Sequence, residues 1–246
     1  MWAKEYIEEL FELEKKILDS QMGKIVKAGE MIAKSIAKGG VLHVFGTGHS
    51  HMFSEELFAR AGGLIPVNAI LEPSLMFQDG VFKCSFLERI PEYAAVILDR
   101  YDVRKGEIMM IFSLSGRNAV PIEMCLEAKN RGLYTIAITS LNHAKASPSR
   151  HFSGKYLYEI ADLVIDNCSK VGDALLEKKG LPGTGRVGAT STITGSMILQ
   201  SIVVEAVEKL IQYGKEPPLM VCPNIEGGDE HNRKVFSKYK NRLKHL

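Results

Sequence analysis

Short apolar runs that recur between helical stretches constrain this chain more than any other feature of its sequence. Residues 41–45, 67–71, 107–112, 133–139 and 162–166 are dominated by aliphatic and aromatic side chains, and each is too short for a stable helix. Residues 52–61, 91–101 and 119–130 lie between most of them and have helical character. Strands that alternate with helices are joined by right-handed crossovers, which make the sheet parallel and put helices on both faces. Strands covered on both sides read as near-continuous apolar runs, as these do. The sequence therefore predicts an α/β fold around a five-stranded parallel sheet.

The remaining segments frame that core. Tyr6, Ile7, Leu10, Leu13, Ile17 and Leu18, then Ile25, Val26, Met31, Ile32 and Ile36, predict two amphipathic helices with a break near residues 20–23, ended by Gly39-Gly40. Residues 72–88 form a long connection, which is either a functional lid or surface packing. Residues 167–190 hold five glycines and a proline and read as an irregular loop. Residues 192–213 predict a long helix, apolar on most sides and therefore central or interfacial. The tail passes through a polar turn at 224–231 into a basic amphipathic helix. No repeat or low-complexity linker divides the chain. Residues 1–246 are read as one domain, with helices at 1–40, a sheet core at 41–215 and a tail at 216–246.

Charge and cysteine usage narrow the function classes. The 31 Lys and Arg against 29 Asp and Glu give a formal charge of +2. So small an excess gives no bulk attraction to nucleic acid or membrane, and neither partner is expected. The four cysteines are scattered without a C-x-x-C pair, which fits a reducing compartment. The first residues are charged and helical, unlike a signal peptide, and no run of about 18 apolar residues could span a bilayer. A cytoplasmic protein is expected, holding any anion in a local pocket.

Two turns carry most of the chemical signal. Gly46-Thr-Gly-His-Ser50 follows the first strand and opens a helix. Its glycines let backbone N–H groups approach an anion, and the helix start adds partial positive charge. His51 stands where a dinucleotide fingerprint needs a third glycine, and no Walker lysine follows. Ser113-Leu-Ser-Gly-Arg-Asn118 follows the third strand with two hydroxyls, an amide and the N–H groups of another helix start. That set suits a phosphate monoester, although Ser and Asn are also favoured helix caps. If the strands take the order 2-1-3-4-5, strands 1 and 3 are neighbours at the topological switch point and both turns face one crevice.

Gly-x-Gly-x-Ser at 46–50, Ser-x-Ser-Gly-x-x at 113–118 and the leading helices together resemble the SIS (sugar isomerase) domain over about residues 20–215. Phe53-Ser-Glu-Glu-Leu-Phe-Ala-Arg60 is similar to the corresponding helix of phosphoheptose isomerases within that superfamily. The resemblance implies a flavodoxin-like three-layer core, a homo-oligomer (dimer or tetramer) and a sugar phosphate as ligand. It implies that Ser113, Ser115, Gly116 and Asn118 grip the phosphate. Gly46, Thr47, Gly48 and Ser50 would contact sugar or phosphate, and Thr190, Ser191 and Thr192 would close the site from a late helix.

The same resemblance gives proton transfer to Glu56, since a carboxylate desolvated beside sugar C1 and C2 can form an enediolate. Glu55 or Glu56 with Arg60 also has the spacing of a helix-surface ion pair. Two departures stand out: Met52 replaces a metal-binding histidine of the phosphoheptose isomerases, and the late helix lacks their second acid/base histidine. His49 is a candidate acid/base or sugar hydrogen-bonder, with a structural role at the helix start as the alternative. His231 is a further acid/base candidate if the tail covers the site, and otherwise belongs to a solvated helix cap. Glu72 and Glu88 are additional acids, and Arg117 faces either the anion or solvent. His51 and Glu55 supply two metal ligands and no third, so no metal is expected, and no cofactor is needed. The expected function is aldose–ketose isomerisation of a phosphorylated sugar or amino sugar. A non-catalytic phosphosugar sensor and a phosphosugar lyase or etherase are the alternatives.

Overall fold

The five apolar runs become β1 (Leu42–Gly46), β2 (Val67–Ile70), β3 (Ile108–Phe112), β4 (Tyr134–Thr139) and β5 (Leu163–Asp166) in a computed structural model that describes residues 1–246. They form one parallel sheet in the order β2-β1-β3-β4-β5. Leu42 pairs with Val67 on one side and Ile108 on the other, and Ile108 pairs in turn with Tyr134. Successive side chains point to opposite faces. Leu42, Val44, Ile108, Met110, Phe112, Ile136, Ile138 and Ile165 bury on one face, and Phe45, Met109, Ile111 and Ala137 on the other. This is the parallel sheet that the sequence predicts, in the flavodoxin-like order that the resemblance to the SIS domain implies.

The helices are α1 (Trp2–Ile36), α2 (Met52–Leu57), α3 (Val81–Leu87), α4 (Tyr93–Leu98), α5 (Ala119–Asn130), α6 (Leu141–Lys145), α7 (Leu157–Ile160), α8 (Ser191–Gln212) and α9 (Gly228–Phe236). Side chains of α1, α2 and α8 join the first core, and those of α4, α5 and α7 join the second. No helix is long and apolar enough to cross a membrane.

Two segments differ from the sequence reading. The leading region is one helix of 35 residues, without a break at 20–23. A glycine such as Gly23 costs a helix about 1 kcal/mol. Burial of Leu13 and Ile17 before it, and of Ile25 and Ile32 after it, outweighs that cost. Gln21, at the expected break, is buried and its Oε1 accepts the Asp166 N–H at 3.1 Å, docking the helix on the end of β5. The second difference is at 167–190, where β6 (Ala174–Glu177) and β7 (Arg186–Ala189) form an antiparallel hairpin instead of an irregular loop. The start of α1 holds this hairpin. Tyr6 donates to the Ala189 carbonyl at 2.5 Å, Glu5 pairs with Lys178, and Glu9 pairs with Lys170 at 3.2 Å.

The tail folds onto the end of the sheet where the strands begin. Leu219 bridges Leu64, and the Asn232 side chain both accepts from and donates to the Val221 backbone at 3.0 and 2.9 Å. Arg242 donates to the buried Glu107 carboxylate at 2.6 Å. Burial opposes ionisation of Glu107, but hydrogen bonds from His43 and Arg242 outweigh it and hold its pKa below the usual carboxylate value.

Candidate functional site

Because β1 and β3 are neighbours, the turns leaving their C-terminal ends are neighbours too. Thr47, Gly48, His49 and Ser50 from the first turn and Ser113, Leu114, Ser115 and Asn118 from the second line one cavity of about 450 Å³. Phe77 and Glu88 enter it from the long connection at 72–88, and His143 enters from α6. Asp173, Ala189, Ser191 and Thr192 complete the wall around the start of α8.

The first turn is tight. Gly48 has φ +57°, and a Cβ there would lie 2.9 Å from Cζ of Phe77, so the loop needs glycine on both counts. His51 is buried with Nδ1 on the Gly48 carbonyl and Nε2 3.6 Å from Glu55, which closes the turn. His49 is exposed and sits edge-on against Phe77, with ring centroids 4.9 Å apart. Thr47 Oγ1 donates to Glu88 at 2.8 Å.

The second turn is rich in unused donors. Gly116, at φ +56°, donates its N–H to Ser113 Oγ at 3.1 Å, which leaves the Ser113 proton free to donate elsewhere. The N–H groups of Leu114, Ser115, Arg117, Asn118 and Ala119 have no acceptor within the chain. Successive free amides at the start of α5 make an anion-binding concavity. Asn118 accepts from Arg150 Nη1 at 3.2 Å through Oδ1, so its NH₂ is available to a ligand. Burial lowers the Arg150 pKa, and the nearby guanidinium groups of Arg117 and Arg89 lower it further. Three cations therefore gather beside this turn.

The start of α8 is already filled. Asp173, in the left-handed region at φ +61°, accepts from the Thr190 N–H at 3.1 Å and from Thr190 Oγ1 at 3.0 Å. It also accepts from the Ser191 N–H at 2.8 Å and Ser191 Oγ at 2.6 Å. Its carboxylate is the N-terminal cap of this helix.

The SIS domain family model matches residues 5–140. The chain is 44% identical over 239 residues to a UPF0309 protein of Geobacillus thermodenitrificans (strain NG80-2), covering 97% of this chain and 95% of that one. The chain belongs to the SIS domain family. It is also 47% identical over 244 residues to a UPF0309 protein of Thermoanaerobacter pseudethanolicus, covering 98% and 99% of the two chains. This SIS fold is shared with a phosphoheptose isomerase from Francisella tularensis at TM-score 0.56 and 12% identity, covering 84% of this chain and 96% of that one. A phosphoheptose isomerase from Neisseria gonorrhoeae superposes at TM-score 0.57 and 13% identity, covering 83% and 97%.

Not every residue singled out in the sequence reaches the cavity of this SIS domain. Gly46, Gly116 and Thr190 stand behind its wall: Gly46 ends β1, and Thr190 is fully buried under Asp173. Glu56 lies outside, accepting from Arg60 at 3.0 Å and from Gln200 Nε2 at 2.9 Å. The ion-pair spacing, rather than the sugar, accounts for its position within one chain. His231 is at the other end of the sheet, 2.9 Å from the Leu219 carbonyl, because the tail packs where the strands begin. Glu88 is the carboxylate that the long connection delivers instead. His143 and Asp173 were not singled out. Burial lowers the His143 pKa, and its Nδ1 accepts the Gly172 N–H at 3.3 Å. The strand-end rule points to the loop after β4, where His143 sits; no local pattern marks Asp173. Burial pushes the Cys125 thiol up to about 11, which leaves it no nucleophilic role at neutral pH.

Proposed function

We propose that the protein binds a phosphorylated sugar or amino sugar in this cavity and interconverts its aldose and ketose forms. The observation that carries the reading is the convergence of the 47–50 and 113–118 turns on one space of about 450 Å³. A phosphate monoester has several acceptor oxygens and about −1.5 to −2 charges at neutral pH. The free amides of 114, 115 and 117–119, the hydroxyls of Ser113 and Ser115 and the NH₂ of Asn118 match it in number and sign.

With the phosphate held there, the sugar extends toward Thr47, His49, Ser50 and Glu88. Glu88 replaces Glu56 as the base in this reading. Its carboxylate removes the C2 proton of the aldose while His49 gives a proton to the C1 carbonyl oxygen, forming an enediol. Glu88 then returns a proton to C1 and His49 takes the proton from the C2 hydroxyl, which becomes the ketone. The hydrogen bond from Thr47 aims the carboxylate. The decisive measurement is proton NMR of a phosphosugar panel in D₂O, where turnover places deuterium on C1 or C2. Glu88→Gln should lower kcat by about 10² or more and retain binding, whereas Glu56→Gln keeps kcat. Binding without exchange would make the domain a sensor, and loss of a substituent would make it a lyase.

The protein also reads as a homo-oligomer. Along α8, Ile193, Val204 and Ile211 are 41%, 67% and 61% exposed, with Met197 and Val207 half-buried at helical spacing between them. Phe11 and Leu18 of the neighbouring α1 are 62% and 57% exposed. A stripe of this length suits a second copy of the chain. It starts beside Thr192 on the cavity rim and passes Gln200 with its partner Glu56, so the second copy would extend the cavity wall. Light scattering should report an oligomer, and Val204→Asp a monomer.

A further inference from the structure

A groove lies where the strands begin, at the opposite end of the sheet from the sugar cavity. It consists of two cavities, about 250 and 380 Å³, that share Ser35, Lys38, Gly106 and Tyr134. The smaller adds Met31, Ile108 and Lys34, whose ammonium pairs with Glu30 at 2.6 Å. The larger adds the cations Arg104, Lys105 and Arg242. The smaller half therefore carries the apolar and aromatic side chains and the larger half most of the cations, and the whole falls within the size range of small-molecule sites.

Three observations point to a ligand. Ser35 is 8% exposed and its Oγ is buried without a hydrogen-bond partner, although the residue lines both halves. This Oγ is one of only four buried side-chain polar atoms left unpaired, and such an atom calls for a partner. The second observation is charge. Glu107 is the one carboxylate in the lining, and it is consumed by Val41 and Arg104 N–H groups, His43 and Arg242. Arg104 and Arg242 share Asp102, while Lys38 and Lys105 pair with no carboxylate. The C-terminal carbonyls of α1 repel an anion, but the lysines around them exceed that partial charge. The third is Tyr134, the first residue of β4, which is 56% exposed while the rest of the strand is buried. An aromatic ring on the wall of a basic groove is a platform for a planar heterocycle.

We propose that this groove binds a nucleoside di- or triphosphate. The base lies against Tyr134 and Met31, the phosphates lie among Lys38, Arg104 and Lys105, and Ser35 donates to the ligand between them. The site holds its phosphates with side-chain cations and lacks a phosphate-binding glycine loop. It is separate from the sugar cavity and stands whether or not the proposed isomerase activity does.

Calorimetric titration of the full chain with ADP, ATP, adenosine and tripolyphosphate at fixed ionic strength tests it. ADP and ATP should bind, and adenosine and tripolyphosphate should each bind at least about tenfold more weakly, because each fills half the groove. The Lys38→Glu, Lys105→Glu double variant should weaken ATP about tenfold or more, and Tyr134→Ser should weaken ATP while leaving tripolyphosphate unchanged. Ser115→Asp, which blocks the sugar cavity, should leave ATP binding intact. If the charge-reversed protein fails to fold, Tyr134→Ser and Ser35→Ala carry the test, each expected to weaken ATP. The proposal is overturned if no nucleotide binds, if tripolyphosphate binds as tightly as ATP, if the groove variants bind normally, or if Ser115→Asp abolishes binding.

Discussion

Helices α5 and α8 both begin at the cavity between the two turns, and they treat their first N–H groups in opposite ways. The start of α8 is closed by Asp173, which takes four donors from Thr190 and Ser191. The start of α5 has no such carboxylate: Asn118 makes no capping hydrogen bond with its side chain, the Val120 N–H goes to the Glu88 carbonyl at 3.1 Å, and the N–H groups of Leu114, Ser115, Arg117, Asn118 and Ala119 are unpaired. A good cap contributes about 1 kcal/mol, so leaving α5 open costs stability that the sequence could have recovered with one aspartate. A helix N-terminus is thus a ligand site only where the fold leaves it unfilled. Asp173 does for α8 what a phosphate would do for α5.

Exchanging the two roles should produce the largest effect. Ser115→Asp brings a carboxylate to the open amides, as Asp173 does at α8. Sugar-phosphate binding should fall about 10² to 10³-fold, since opposing a phosphate with a like charge costs several kcal/mol. The folded protein should be as stable as the parent or more so. Calorimetry with a phosphosugar and a thermal melt read the two halves, and a variant that still binds normally removes the 113–118 turn from the phosphate site.

Asp173→Asn is the converse and should act mainly on stability. Loss of the charged cap should cost about 1–2 kcal/mol, lowering Tm by about 2–4 °C for each kcal/mol in a chain of this size. Phosphosugar affinity should rise severalfold at low salt, because a negative charge has left the cavity wall. If affinity falls instead, Asp173 is a ligand contact and the division between the two helices is lost.

The parts of this structure that were legible in the sequence are those with local causes. Strand runs such as Ile108–Phe112 are apolar because both faces of the sheet are covered, and the two turns are marked by glycine and serine at the ends of adjacent strands. The parts that were not legible depend on distant partners. Residues 20–23 look like a helix interruption until Gln21 is seen to accept the Asp166 N–H. The 174–189 hairpin hides behind glycine density and is held by Tyr6, Glu5 and Glu9 from the far end of the chain. Family likeness brought Glu56 to the sugar, whereas Arg60 and Gln200 hold it elsewhere in a single chain. Asp173 carries no pattern because its meaning comes from a helix that starts 18 residues later.

The smallest expected effect separates the two helices by pH. The loop carrying Asp173 is held in part by His143, whose Nδ1 accepts the Gly172 N–H at 3.3 Å. Burial, reinforced by Arg117 and opposed by Asp173, lowers the His143 pKa below its ordinary value of about 6.5. A group with a lowered folded-state pKa contributes stability that is present above its unfolded pKa and is lost as pH falls through the folded one. Protonating Nδ1 also removes the acceptor for Gly172, which loosens the loop that caps α8. Acidification from neutral pH should therefore lower the hydrogen-exchange protection factors of the Thr190 and Ser191 amides, taken relative to the intrinsic rate at each pH, and leave those of the body of α5 unchanged. His143→Asn should flatten that pH dependence. Equal pH slopes in the variant and the parent would show that the α8 cap is indifferent to His143, and the contrast between the helices would then rest on Asp173 alone.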